Sequence, residues 1–431
     1  MADDFSDLEA MLRRYLKVAP TEMELQAQAQ LQEHFRRGSF MAGGARRPNW
    51  SRALAAVMVL ALVALGSIGM VRLAALRNHH LATRPPATKH ITAPVQQPPS
   101  IGWTQLNPAT IPSGDVGPST MAYDSASGTI ILMETTVVPT TNASLPLAFA
   151  TQMWYWDGST WTQLHPSHLP PPMKWSSMAY DAANRTLVLF GGWILKGGGS
   201  SDATWIWNGS DWSQAQPAQS PPVRSAASMA YDAATQTVIL FGGCDLLTWG
   251  MPPTCPDNVS PTDTWSWNGK TWTLLHPATS PPGREFGALA YDRATRTVVL
   301  LGGECICNSA GMADTWSWDG RTWSQSQPIP SPPGPMGGQV LVGLAYDQAI
   351  GELIVYGVSD PNNSNDTTWT WNGSTWSPLN SGSTTIQSGG GLPLLAYDDH
   401  TGQLILFIDL GSNNPPNATW VLGQQASTAA R

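Results

Sequence analysis

At 431 residues the chain is long enough for more than one region, and its charge divides it: 7 acidic and 12 basic residues precede position 100, and 23 and 10 follow it. The first part carries about +5 and the second about −13. An acidic second part argues against nucleic acid as a partner.

Residues 1–50 are expected to form a cytoplasmic α-helical tail of two short helices. Ser6 with Glu9, and Thr21 with Glu24, have capping-box spacing, and Pro20 separates the two segments. Leu8, Leu12 and Tyr15 share a face of the first. The tail is either a partly ordered segment or a docking site for a cytoplasmic partner.

A single transmembrane helix is expected within residues 51–76. Its core, 53–71, has nineteen residues without a charge, about 28 Å of helix at 1.5 Å per residue. The fifty or so residues before it are too many for a signal peptide, and no A-x-A-like cleavage site follows. Arg36, Arg37, Arg46, Arg47 and Arg52 precede the span, and Arg72, Arg77, Arg84 and Lys89 follow it. This slight excess favours a cytoplasmic N-terminus, with the remainder outside the plasma membrane. Residues 77–100, with Pro85, Pro86, Pro94, Pro98 and Pro99, read as a semi-extended linker.

From 101 to 425 the chain repeats itself, and 426–431 read as a disordered tail. An Ala-Tyr-Asp signature occurs six times, at Tyr123, Tyr180, Tyr231, Tyr291, Tyr346 and Tyr397. Each is followed by an apolar run such as TVILFGG, then by a strand with paired Trp such as Trp265/Trp267, then by a strand opening on Trp161, Trp212, Trp272, Trp323 or Trp376. The sixth unit has Trp420 but ends before its fourth strand, whereas Gly102–Leu106 is a fourth strand with no unit before it. The expectation is an all-β domain, a six-bladed β-propeller closed by an N-terminal strand, with Trp103 beside Trp420.

The FGG at Phe190–Gly192 and Phe241–Gly243, the LGG at Leu301–Gly303, the D-T-W of the third strand and the PP-x-R lead-ins at Pro221–Ser225 and Pro281–Glu285 resemble the kelch-repeat, galactose-oxidase-like propeller family. The resemblance implies kelch-like blades. It raises the possibility of copper chemistry, which in galactose oxidase needs two Tyr, two His and a Cys cross-linked to one Tyr. Here six of the eight propeller tyrosines are the repeated blade residues, and no His constellation accompanies Tyr155 and Tyr356. No cofactor and no metal is therefore expected.

Turns joining strands 1–2 and 3–4 are uniformly short, and the 2–3 connections are long: 135–151, 193–201, 244–262 and 304–313. The long-loop face is thus the expected site for a protein or carbohydrate ligand. Its unrepeated residues, Trp175, Trp193, Arg224, Trp249, Arg284 and Glu285, are the candidate contacts. The repeated tyrosines are assigned to packing between blades. Cys244, Cys255, Cys305 and Cys307 lie in the 2–3 loops of blades 3 and 4. They are disulfide candidates in three possible pairings, with free thiols or a soft metal as alternatives. The expected function is binding or scaffolding. An envelope sensor acting through residues 1–50 and a carbohydrate-active enzyme, oxidase or glycosidase, are the alternatives.

Overall fold

The structure is a computed structural model that describes residues 101–113, 119–138, 148–245, 261–305, 310–326, 342–357, 367–379, 386, 392–409 and 417–424. The expected N-terminal helices, membrane span, linker and C-terminal tail lie outside these residues, as do Trp249, Cys255 and Cys307.

Six four-stranded antiparallel sheets are arranged as a ring, each one blade. The innermost strands are Thr120–Asp124, Ser177–Asp181, Ser228–Asp232, Ala288–Asp292, Val342–Asp347 and Leu392–Asp398. Each packs against the innermost strand of the next blade, and the sixth packs against the first. The second strands are β-branched and Leu-rich, and are buried on both faces because each lies between neighbouring sheets: Val238, Ile239, Leu240 and Phe241 are all within 1% of full burial.

Closure is carried by Ile101–Leu106, which pairs antiparallel with Ala418–Gln424 as the outer strand of blade 6. The register differs from expectation. Trp103 lies opposite Leu422, and Gln105 lies opposite Trp420. In blades 1 to 5 the fourth-strand Trp faces the second Trp of the third-strand pair, as Trp212 faces Trp207. In blade 6 that second position is Leu422, so the ladder keeps its register although the sequence signal is missing.

The fourth-strand Trp also ties each blade to its predecessor. Trp272 Nε1 donates to Thr204 Oγ1, Trp323 to Thr264, Trp376 to Thr315 and Trp161 to Thr419, all at 2.9 Å, and Trp103 to Thr368 at 2.8 Å. At the sixth junction Trp212 donates to Met153 Sδ at 3.3 Å, where the Thr position is Met. Both partners are buried, so removing the acceptor strands a donor away from water. Thr264→Val is expected to cost about 1–3 kcal/mol in equilibrium denaturation. In a Trp323→Phe background the same change should be nearly neutral, and equal cost in both backgrounds would refute the bond's contribution.

The short turns explain the Asp that follows each blade Tyr. Asp232 Oδ1 accepts from the N–H groups of Ala234 and Thr235, and its Oδ2 from Thr235 Oγ1. Asp124, Asp181, Asp292, Asp347 and Asp398 likewise accept backbone N–H bonds from their own turns. The last turn residue is left-handed: Gly128, Gly351 and Gly402 in three blades, but Arg185, Gln236 and Arg296 in the others, at φ near 58–60°. On the outer tier, Asn or Asp at 157, 208, 268, 319 and 372 caps the 3–4 turn in the same way.

At the opposite end, the paired glycines after the second strand exist because the next blade's backbone crosses there. A Cβ on Gly242 would collide with the carbonyl oxygen of Arg284, and Gly243 N–H donates to that oxygen at 2.9 Å. Three of the expected 2–3 loops also contain strand that their sequence did not suggest. Blade 1 continues as strand to Val138 and resumes at Ala148, so much of the expected loop 135–151 is a long hairpin. Glu304–Cys305 pairs with Ala310–Gly311, and Trp193–Ile194 with Met173–Lys174.

Candidate functional site

Four of the six candidate contacts are buried. Arg224 and Arg284, expected as exposed lead-in cations, are clasps within blades 3 and 4. The Arg284 side chain is 0% exposed, with Nη1 donating to Gly302 O at 2.9 Å and the guanidinium gripping Asp314 through both Nη atoms. Arg224 does the same with Gly242 O and Asp263. Trp265 and Trp316 add their indole N–H bonds to these carboxylates. Burial works to raise the Asp263 and Asp314 carboxyls, but the bonds and charge of the arginines outweigh it and hold both below the ordinary carboxylate range. Asp263 and Asp314 thus share one structural role, whereas Asp202 is exposed and Met173 stands where an Arg would clasp it.

Glu285 is fully buried and pairs through its backbone with Glu304. Trp193 is 5% exposed and packs with Cys244, which is disulfide-bonded. Half-buried Trp175 packs against that cluster and meets Phe286 edge-on at 6.1 Å. Trp175, Ala226 and Phe286 occupy equivalent lead-in positions, all with φ of 56–57°. They are linked from blade to blade, Ala226 N–H to Trp175 O at 2.8 Å and Phe286 N–H to Ala226 O at 2.9 Å. Among the described candidates, the long-loop face therefore spends Trp193, Arg224, Arg284 and Glu285 on its own packing and brings Trp175 partly to the surface.

A cavity lies at the other end of the axis. The blade Tyr is the penultimate residue of each innermost strand, so six tyrosines meet where the channel opens on the short-turn face. Tyr123, Tyr180, Tyr231, Tyr291, Tyr346 and Tyr397 line a cavity of about 400 Å³ there, together with Arg293 and Asp399. The backbone of His400, Ala183 and Ala349, each in the turn of the preceding blade, acts on the phenols of Tyr123, Tyr231 and Tyr397 and favours their ionised form. Burial first, and then neighbouring carboxylates, push the phenols of Tyr123, Tyr231, Tyr346 and Tyr397 above their ordinary range. They stay neutral at physiological pH.

Repetition had assigned these tyrosines to blade packing alone. The signal for the cavity was their place in the repeat: one large aromatic residue per blade, at the end of the strand nearest the axis. Among the described residues no group of three His, Cys, Asp or Glu side chains is arranged to hold a metal ion.

Fold and cavity together define a six-bladed β-propeller with an aromatic axial mouth. Among solved structures, that of YjhT aligns with 75% of this chain and 98% of its own, at a TM-score of 0.51 and 13% identity. At that identity the likeness is one of fold. No protein-family model and no curated protein matches the chain in sequence.

Proposed function

We propose that this protein is a kelch-like recognition module for a glycan or protein ligand, held outside the plasma membrane by a single span at 53–71 with residues 1–50 in the cytoplasm. The observation that carries the binding reading is the axial cavity, walled by one tyrosine from each of six blades. Concave, aromatic-lined sites with a few polar groups are where small ligands and protruding side chains bind. The frame around it is rigid, because every 1–2 turn is capped by a buried Asp. The uncharged stretch at 53–71 and the proline-rich stalk after it support the anchored, displayed arrangement. A propeller alone would not decide the matter, since the architecture hosts many activities.

The test is a panel of glycans, peptidoglycan fragments and peptides offered to the full-length protein, with products assayed alongside. Saturable binding without turnover is expected. Turnover of any panel member would overturn the recognition reading in favour of an enzyme.

A further inference from the structure

We propose that the six-tyrosine cup on the short-turn face is a site for a small organic cation of the quaternary ammonium type, and that the guanidinium of Arg293 competes for it in the free protein. The inference rests on the reading of the propeller as a binding module and names the ligand chemistry of its cavity.

The aromatic wall comes first. Six phenol rings encircle a space of about 400 Å³, and aromatic enclosure is the characteristic way of holding a cation too poorly hydrated to need hydrogen bonds. Besides the six tyrosines the cavity is lined by Ser125, Ala182, Ala233, Arg293 and Asp399, so few side chains other than the phenols bring hydrogen-bonding groups to the axis. That suits an alkylated cation better than a sugar, whose many hydroxyls would need partners.

The field comes second. Each tyrosine is followed by a buried Asp, 0–3% exposed in all six blades, so carboxylates stand behind the aromatic wall on every side. Asp398 acts on Tyr123, Asp181 on Tyr231, Asp292 on Tyr346 and Asp347 on Tyr397. These carboxylates are occupied by turn N–H groups and are not themselves a cation-binding cluster. They set the sign of the potential inside the cup.

The third observation is the cation already at the rim. Arg293 starts in the 1–2 turn of blade 4, donates through Nη1 to Gln348 Oε1 in the turn of blade 5, and reaches Asp399 in the turn of blade 6, with Nη2 at 3.1 Å from Oδ2. It thus passes over part of the mouth and lines the cavity. The face's other cations, Arg185, Lys270, Arg296 and Arg321, do not line it. The Arg293 side chain remains 50% exposed, so its ion pair is weak and a competing cation can displace it.

Choline and its neutral isostere 3,3-dimethylbutan-1-ol distinguish charge from shape. Calorimetric titration of the full-length protein in non-ionic detergent should show saturable choline binding, with the alcohol at least about tenfold weaker. Arg293→Gln should tighten choline binding by up to about fivefold. Tyr346→Leu should weaken it at least about fivefold, and Tyr346→Phe, which keeps the ring and guards against a folding defect, should retain it. Equal affinity for the alcohol, weaker choline binding by Arg293→Gln, or no binding of choline would overturn the inference. If the alcohol or a glycan enters the cup and choline does not, the recognition reading stands without the cation. If no probe and no panel ligand responds to the tyrosine substitutions, the reading of the cavity as the binding site falls as well.

Discussion

Removing Ile101–Leu106 is expected to lower the melting temperature of the propeller by about 10 °C or more, although these six residues are distant in sequence from nearly everything they touch. The strand supplies the whole outer edge of blade 6. Its Trp103 is 1% exposed, donates to Thr368 in blade 5, and meets Tyr356 edge-on at 6.0 Å. Loss of a buried Trp alone costs about 3–5 kcal/mol. Deleting the strand adds the exposed edge of Ala418–Gln424 and breaks a ring whose blades stabilise one another by contact, against a net stability of about 5–15 kcal/mol. Trp103→Ala should reproduce a large part of the loss. A calorimetric melt unchanged by the deletion would show that the ring does not depend on this closure.

The second large effect is expected at the clasps. Arg284→Met removes the cation from Asp314 and the donor from Gly302 O, and should cost about 3–5 kcal/mol, because it leaves half of a buried ion pair behind. Pairing it with Asp314→Leu should recover much of the loss, since apolar replacement of both partners removes the stranded charge. The same pairs make an acid-sensitivity prediction. The carboxyls of Asp263 and Asp314 have folded-state pKa values below their unfolded ones. Their contribution is therefore complete above about pH 4 and is lost as pH falls below that, through the folded values. Wild type should lose stability on acidification, and Arg284→Met should lose less over the same range. An equal acid slope in urea denaturation at pH 2.5–5 would contradict the assignment.

The ring was legible in the sequence because the repeat states its strands six times, and the missing fourth strand of the last unit pointed to the surplus one at the start. The register at the closure was not, since Leu422 replaces the Trp that marks that position in blades 1 to 5. The clasps were half legible. The PP-x-R and D-T-W motifs were both visible. Nothing local, however, says that Arg284 folds back onto an Asp thirty residues later. Trp193 stood out as unrepeated and therefore as a ligand contact, yet an unrepeated loop must also fill its own interior, and this one does so with Trp193 against Cys244. The opposite error hid the cavity. Residues that recur in every blade look like packing, and a ring of identical residues on an axis is packing and lining at once.

Hydrogen exchange on the full-length protein, with and without choline and then with each ligand retained from the glycan and peptide panel, tests the central claim most directly. Protection gathered in the six Ala-Tyr-Asp strand ends and the turns that follow them would place the ligand in the tyrosine cup, as the account predicts. Protection confined to 173–175 and 193–201 would place it on the long-loop face and contradict the account.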